Sequence, residues 1–364
     1  MNRRRVLVAM SGGVDSSVAA ALLKEDGYDV VGVAMRLAPD AEQKSRPVSG
    51  GSCCSADDFE DARRVAERLE FPFYVVDLRA DFEARVIRNF VSEYLDGRTP
   101  NPCVLCNREI KFDRLWERAR ALEADCVATG HYARIVSDAG GRFHLLRARD
   151  GAKDQSYFLF SLTQAELART LFPLGEMTKT EVRAKARELG LANAEKRDSQ
   201  EICFVPDGNY AAAVERMCDA AHIRPGKIVA PDGTVCGSHP GIHHFTVGQR
   251  RGLGVAAREP LYVREIRSES AEVVVAGRAL LGAGGLVLES LSMVDPSPFR
   301  LGTLNAEVKI RYRHAPVGAT ISTLSGGRAK VVFRNHGPAV TPGQACVIYC
   351  GEEVLGGGFI QRAL

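Results

Sequence analysis

The chain has 364 residues, 45% of them hydrophobic and 26% charged, with a formal net charge of +3. Such a length buries a real core in two or three domains, and the balance is that of a globular protein rather than a disordered or fibrous one. Ten cysteines are too few for a disulfide scaffold in a chain this long, and the apolar run behind the basic start Met1-Asn2-Arg3-Arg4-Arg5 stops at Met10, too short for a signal sequence or a membrane span, so a cytoplasmic protein with working thiols is expected.

Residues 5–10 read as a buried strand that runs into Ser11-Gly12-Gly13-Val14-Asp15-Ser16-Ser17 and then straight into a helix with Val18, Ala21 and Leu22 on one face, closed by Gly27. Two glycines let the backbone turn tightly and approach a ligand, and the helix start offers unpaired N–H groups and a positive dipole end, which is an anion-binding layout. The lysine of a nucleoside-triphosphatase P-loop is missing, and Asp15 puts an acid inside the anion site, which suggests a pyrophosphate bridged by a metal. Residues 29–37 read as a second strand. Ser55 and Asp58 form a capping pair for a helix carrying Phe59, Ala62, Ala66 and Leu69, and residues 73–78 follow as a third strand. Two more helices and a strand over 126–133 complete an α/β pattern. It predicts a doubly wound, mostly parallel sheet with ligands at the carboxyl ends of its strands, where Ser11 to Ser16, Met35 and Gly130-His131-Tyr132 fall.

Thr99-Pro100-Asn101-Pro102-Cys103-Val104-Leu105-Cys106-Asn107 is the second constellation. Its prolines fix an extended approach, Asn107 is placed to cap a helix bearing Ile110, Leu115, Ala119 and Leu122, and a thiol at that helix start gains thiolate character. Lys153-Asp154-Gln155-Ser156-Tyr157 is dense in groups that could hold RNA, and Cys203 lies in Arg197-Asp198-Ser199-Gln200-Glu201-Ile202-Cys203-Phe204. After residue 208 helical periodicity fades. Short β-rich runs at 261–266, 272–275, 306–313, 330–333 and 346–349, split by turn residues, predict two small β-rich domains, the last a β-barrel, with a boundary in the Gly-rich run 280–285. The expected domains are 1–208, 209–280 and 281–364.

The turn at residues 11–16 resembles the PP-loop of the ATP pyrophosphatases, which cleave ATP between its α and β phosphates. With the two cysteine stretches, Gly130-His131-Tyr132-Ala133 and His244-Phe245-Thr246-Val247-Gly248-Gln249-Arg250-Arg251-Gly252, nearly the whole chain resembles the tRNA 2-thiouridylases of the MnmA/TrmU family. The resemblance implies a PP-loop catalytic domain, a small central domain and a C-terminal barrel that together grip the anticodon region of tRNA. It implies ATP and Mg²⁺, adenylation of the C2 oxygen of the wobble uridine with release of pyrophosphate, and replacement of that oxygen by sulfur. Adenylation is chemically apt, because it turns a carbonyl oxygen into AMP, a good leaving group. By matched motif, Ala9, Met10, Ser11, Gly12, Gly13, Val14, Asp15 and Ser16 bind the nucleotide, with Ser11 to Ser16 cradling the pyrophosphate, while Met35 and Gly130 meet the adenosine. Cys203 carries a persulfide that Cys106 resolves through a disulfide, Asn101, Pro102 and Cys103 meet the target base, and Lys153, Asp154, Gln155, Arg311 and Tyr312 contact tRNA. A persulfide-donating sulfur carrier or a cysteine desulfurase is the implied partner, and no membrane.

Cys103 departs from the pattern of the best-known bacterial members, which place Asp there. It makes a Cys-x-x-Cys pair that, with Cys203, resembles the ligand set of iron–sulfur thiolation enzymes, so a [4Fe-4S] cluster on Cys103, Cys106 and Cys203 is an alternative sulfur carrier. A structural zinc site or a simple redox dithiol are the plainer readings. Cys53 and Cys54, and likewise Cys126, Cys218, Cys236, Cys346 and Cys350, read as packing residues. His243-His244 has no third metal ligand at useful spacing, His131 could touch nucleotide or satisfy a turn, and Trp116 reads as core. From residue 297 onward eight basic side chains face three acidic ones, and Arg311-Tyr312-Arg313-His314 could grip phosphates and stack a base, or be a solvated strand face.

Overall fold

The computed structural model describes residues 3–37, 56–198 and 201–364. The chain divides into two compact units, one of Met1–Val86, Cys103–Gly208 and Glu352–Val354, the other of Ile87–Pro102, Asn209–Gly351 and Leu355–Leu364.

The first unit is built on a five-stranded parallel sheet. Strand β1 (Arg5–Ala9) is followed by helix α1 (Val14–Glu25), β2 (Asp29–Arg36), α2 (Ala56–Arg68) and β3 (Phe73–Asp77). Helix α3 (Asp113–Ala121), β4 (Cys126–Thr129), an antiparallel pair β5 (Ala133–Ser137) and β6 (Phe143–Arg147), the short β7 (Thr170–Leu171) and helix α4 (Lys179–Glu188) complete it. Strand order is β3-β2-β1-β4-β7, with Val6 opposite Val30 on one side and Cys126 on the other. Period-two alternation explains why β1 carries no polar face: Val6 and Val8 pack with Val18 of α1, while Leu7 packs with Leu115 and Ala119 of α3. All three are fully buried, worth about 1.5–3 kcal/mol each. The order reverses on either side of β1, so the gap between the carboxyl ends of β1 and β4 is the topological switch point, where ligands of such sheets bind.

The doubly wound parallel sheet is therefore as expected, with one correction. The strand expected over residues 126–133 ends at Thr129, and Ala133 opens a separate antiparallel strand. Gly130, just after the break, passes close to α1, where a side chain would meet the Ser16 backbone nitrogen at 2.7 Å. Ser55, of the expected capping pair, lies outside the described residues, as do Cys53 and Cys54. Asp58 is buried and receives Lys196 Nζ at 2.7 Å.

The second unit holds two β-structures. The first is a four-stranded sheet of β8 (Gly226–Val229), β9 (Val235–His239), β10 (Leu261–Arg267) and β11 (Glu272–Gly277), in the order β10-β11-β8-β9. A helix absent from the sequence reading, α5 (Tyr210–Met217), precedes it, capped by Asn209 through Ala212 N–H. The second is a barrel of β12 (Gly285–Met293), β13 (Thr303–Lys309), β14 (Val317–Leu324), β15 (Arg328–Phe333), β16 (Ala345–Cys350) and β17 (Glu353–Ala363), closed where β12 pairs with β17. Strand β13 stops at Lys309, so Arg311-Tyr312-Arg313-His314 forms a turn rather than the expected strand face, its ends joined by His314 N–H to Arg311 O. The packing assignment holds for Cys126 and Cys346, which are buried, is partial for Cys218 and Cys236, and fails for Cys350, which is exposed at the end of β16. Among the described residues no helix is long and apolar enough to cross a membrane.

Candidate active site

In the first unit the turn after β1 is shaped by its neighbours. Gly12 has φ +71, and a Cβ on it would lie 2.1 Å from the Asp58 carbonyl oxygen, so only glycine fits. Its own carbonyl accepts from Asn193 Nδ2 at 3.0 Å and from Lys196 Nζ at 3.3 Å. Lys196 is anchored in turn by Asp58 and Asp61; burial opposes its charge, yet these two carboxylates raise its pKa. The Ser16 hydroxyl accepts from Ser11 N–H at 3.1 Å and donates to Gly13 O, and Ser17 also donates to Gly13 O. Helix α1 begins after Gly13 with no side-chain cap, which leaves the dipole end of its first turn facing outward for an anion. Ser11 is exposed, whereas Met10 is buried, with its N–H on Val33 O, and Val14 is buried too.

Asp15 is the organising charge. Its carboxylate accepts the Tyr132 hydroxyl at 2.7 Å and both oxygens meet Lys179 Nζ at 2.8 Å. Lys179 is the first residue of α4, set by the Thr178–Glu181 capping box, and also lies 2.7 Å from Asp198. Asp198 takes Lys153 Nζ at 2.6 Å; although burial works against its charge, the two lysines hold the carboxyl below its ordinary range. Burial first and Asp15 second push the Tyr132 phenol well above its usual pKa, so it stays a hydrogen-bond donor. A chain Asp15–Lys179–Asp198–Lys153 thus couples the anion turn to the segment that carries Cys203. Asp15 remains about one-third exposed. A partly exposed carboxylate beside an anion turn fits Mg²⁺, which takes one or two carboxylates plus phosphate oxygens.

The first unit gathers the predicted nucleotide residues at the switch point. Met35, half-buried, is the last residue but one of β2, and Gly130 touches the start of α1. His131 takes the turn-satisfying role: it is buried, its Nδ1 lies 2.7 Å from the Thr129 hydroxyl, and its ring stacks on Phe112. Burial first, then Lys111, holds its pKa well below 6.5. Stability from such a depressed histidine is complete above the unfolded value near 6.5 and drains away as pH falls toward the folded pKa. Thermal melts of His131→Asn are expected to lose less between pH 7 and pH 5 than the parent, whose slope gains about 1.4 kcal/mol per pH unit at most from this residue.

The thiols correct one expectation. The helix starts at Pro102, runs through a wide π-helical stretch Cys106–Phe112 and continues into α3. Cys103, exposed, therefore occupies the first turn, and proline at the first helical position marks that start. Cys106 is buried one turn further in, and Asn107 is no cap: it is buried, with Nδ2 on Phe158 O at 3.4 Å. Cys203 is half-buried, and the next residue, Phe204, packs edge-on against Phe82 at 5.7 Å. Ser199 and Gln200 lie outside the described residues. Cys103, Cys106 and Cys203 are thiols, not disulfides, and no three of the described cysteine, histidine and acidic side chains converge at them as metal ligands within 4.8 Å.

Of the expected tRNA contacts, Asp154 is buried and its carboxylate accepts Ala148 and Ser156 N–H, while Gln155 accepts from Tyr132 N–H and donates its own N–H to Tyr132 O. The Gln155 side chain thus holds the Tyr132 backbone, and Asp154 holds the backbone at Ala148 and Ser156. In the second unit, the strap 98–102 is tied down by Gln344, which donates to Thr99 O and Pro100 O, and by Thr99 N–H on Pro342 O. Arg311 is likewise engaged, donating to Val247 O at 3.0 Å and to the Thr341 hydroxyl. Tyr312 stays half-buried beneath Lys309 Nζ, 5.6 Å from its ring. Sequence reasoning missed Tyr132's role, Lys179, Asn193, Lys196 and Gln344; the capping box at Thr178 was the one local signal, placing Lys179 at a helix start.

Three family models match in order: a tRNA methyl transferase HUP domain over residues 4–207, a tRNA methyl transferase PRC-barrel domain over 216–277 and an aminomethyltransferase beta-barrel domain over 284–360. The chain is 52% identical over 369 residues to the tRNA-specific 2-thiouridylase MnmA of Geobacter metallireducens, covering 100% of this chain and 98% of that one. It is 51% identical to the protein of the same name from Solibacter usitatus, over 99% of this chain and 100% of the other, and 46% identical to that of Clostridium perfringens, over 100% of both.

Proposed function

This chain belongs to the family of tRNA-specific 2-thiouridylases, and on that premise we propose that it makes 2-thiouridine at the wobble position of tRNA, with ATP consumed to AMP and pyrophosphate. The observation that carries the reading is the turn Ser11–Ser16 at the switch point, with a capless helix start for the anion and Asp15 held by Lys179 and Tyr132. ATP lies with its β and γ phosphates on this turn and its adenosine toward Met35 and Gly130. Bound Mg²⁺ offsets pyrophosphate charge, and Asp15 is the residue that would hold it. Lys179 supplies the cation a Walker lysine would supply, from a helix far along the chain. The reading divides the chain into domains 1–208, 209–280 and 281–364, places it in the cytoplasm with tRNA, and gives Asn101, Pro102, Cys103, Lys153, Asp154, Gln155, Arg311 and Tyr312 to tRNA and its target base.

Sulfur arrives at Cys203 as a persulfide from an external carrier or desulfurase. Its outer sulfur attacks C2 of the adenylated uridine and expels AMP. The Cys106 thiolate then attacks Cys203 Sγ, the S–S bond breaks in favour of the thiocarbonyl, and a Cys106–Cys203 disulfide remains for an external dithiol to reduce. The different exposures support this division of labour: half-buried Cys203 is open to a donor, while buried Cys106 is shielded from side reactions.

Purified protein with ATP, Mg²⁺, tRNA and a persulfide donor is expected to yield 2-thiouridine on nucleoside analysis, with pyrophosphate release only when tRNA is present; release that ignores tRNA would refute the reading. Anaerobically purified protein is expected to hold no iron or sulfide, and stoichiometric iron would move the sulfur onto a cluster. Lys179→Met should cut tRNA-dependent pyrophosphate release by about 10²–10³-fold, the size of losing one charge-stabilising donor, and leave tRNA affinity unchanged in a filter-binding assay.

A further inference from the structure

Outside the anion turn and the thiols, one other group of side chains has the chemistry of a site. Glu215 on α5 and His243 and His244 in the turn Ile242–His244 bring one ligand atom each to within 4.8 Å of one another. The two imidazole Nε2 atoms converge on the same carboxylate oxygen, Oε1 of Glu215, at 3.2 and 3.0 Å. A tetrahedral metal with ligand bonds of about 2.0–2.1 Å sets its ligand atoms roughly 3.3 Å apart, so both distances match the edges of such a shell.

An ordinary histidine–glutamate contact explains only half of this. His243 Nε2 is placed to share a hydrogen bond with Glu215, but His244 Nε2, buried although its ring is one-third exposed, lies 3.0 Å from the carboxylate without the alignment of a hydrogen bond. A buried ring nitrogen close to a carboxylate that it does not hydrogen-bond has a lone pair to give to a metal. His243 is fixed by packing: a side chain at Gly241 would meet its Nδ1 at 2.5 Å. It also lines a cavity of about 30 Å³ shared with His222, Arg224 and Ser268, room for a single water.

We propose that Glu215, His243 and His244 bind a zinc ion, with water as the fourth ligand, and that the metal pins helix α5 to the four-stranded sheet of the second unit. Two imidazoles and one carboxylate suit zinc in preference to magnesium or calcium, which want oxygen shells. The role is structural, since α5 has only eight residues and is too short to persist unless docked.

The full-length protein, stripped with chelator and titrated with Zn²⁺, is expected to bind one equivalent at this site and to melt at higher temperature. Because the cysteines of the first unit could also take zinc, Co²⁺ is the second probe: this site gives ligand-field bands with no sulfur-to-cobalt charge transfer. Loss of even an outer-shell partner weakens metal sites by about 10–100-fold, so Glu215→Gln and His244→Ala, both at exposed or half-exposed positions, should weaken binding by more than about 100-fold and abolish the thermal shift. His243 is too buried for a clean test. Zinc that survives both substitutions, or cobalt spectra dominated by thiolate bands and removed by Cys103→Ser instead, would overturn the assignment, as would no binding at all.

Discussion

Cys203→Ser is expected to lower 2-thiouridine formation by more than about 10³-fold, the scale on which loss of a covalent nucleophile is felt, while tRNA-dependent pyrophosphate release in the first turnover persists. The two readouts separate under the proposed function, which assigns activation of the carbonyl to the anion turn and sulfur delivery to the thiols. Cys106→Ala should show the same split, and alanine is the right replacement because Cys106 is buried, where a serine hydroxyl would add an unsatisfied polar group. A mass measurement of Cys106→Ala after incubation with donor should find extra sulfur retained on Cys203, whereas Cys203→Ser should retain none. Equal loss of pyrophosphate release and of product in both variants would mean that the cysteines hold the fold or the tRNA, not the sulfur.

Gly12→Ala carries the second large effect. At φ +71 an alanine pays about 1–2 kcal/mol for the left-handed backbone, and its methyl carbon would lie 2.1 Å from the Asp58 carbonyl, a backbone atom that has no rotamer to escape into. Either Asp58 or the turn moves, and the turn holds Asn193 and Lys196 on its carbonyl. The expected cost is at least about 3 kcal/mol of stability, with ATP binding weakened beyond about 100-fold as the helix start is re-aimed. Gly27→Ala is the matched control: φ is +84, but nothing lies within 4 Å of its Cβ. It should lose only about 1 kcal/mol and bind ATP normally by calorimetry.

How far the sequence alone could go depended on whether a feature leaves a periodic trace. Strand β1 and helix α1 were legible because Val6, Leu7 and Val8 form an unbroken apolar run and Val18 begins a helical face, both consequences of a sheet covered on two sides. The anion turn was legible because its glycines are forced locally. Lys179 was not, since one lysine on an amphipathic helix is the commonest solvated residue there is, and only the topology of α4 against α1 carries it 164 residues back to Asp15. The helix start at Pro102 was placed too late because Asn107 has the composition of a cap; the proline at the first turn was the better signal. Arg311 was carried over as a tRNA contact from the matched motif, and nothing in its sequence neighbourhood showed that one guanidinium nitrogen also donates to Val247 and Thr341. His243 and His244 lacked a third ligand by spacing because Glu215 sits 28 residues upstream of His243, on a helix the apolar pattern had not revealed.

Under the proposed function, ATP activates the uridine carbonyl itself. A tRNA carrying heavy oxygen at C2 of its wobble uridine, incubated with the enzyme, ATP, Mg²⁺ and a persulfide donor, tests it in a single mass spectrum of the AMP. Transfer of the label into AMP, one heavy oxygen for each 2-thiouridine formed, is the predicted result. Unlabelled AMP beside labelled water or unconverted tRNA would contradict it.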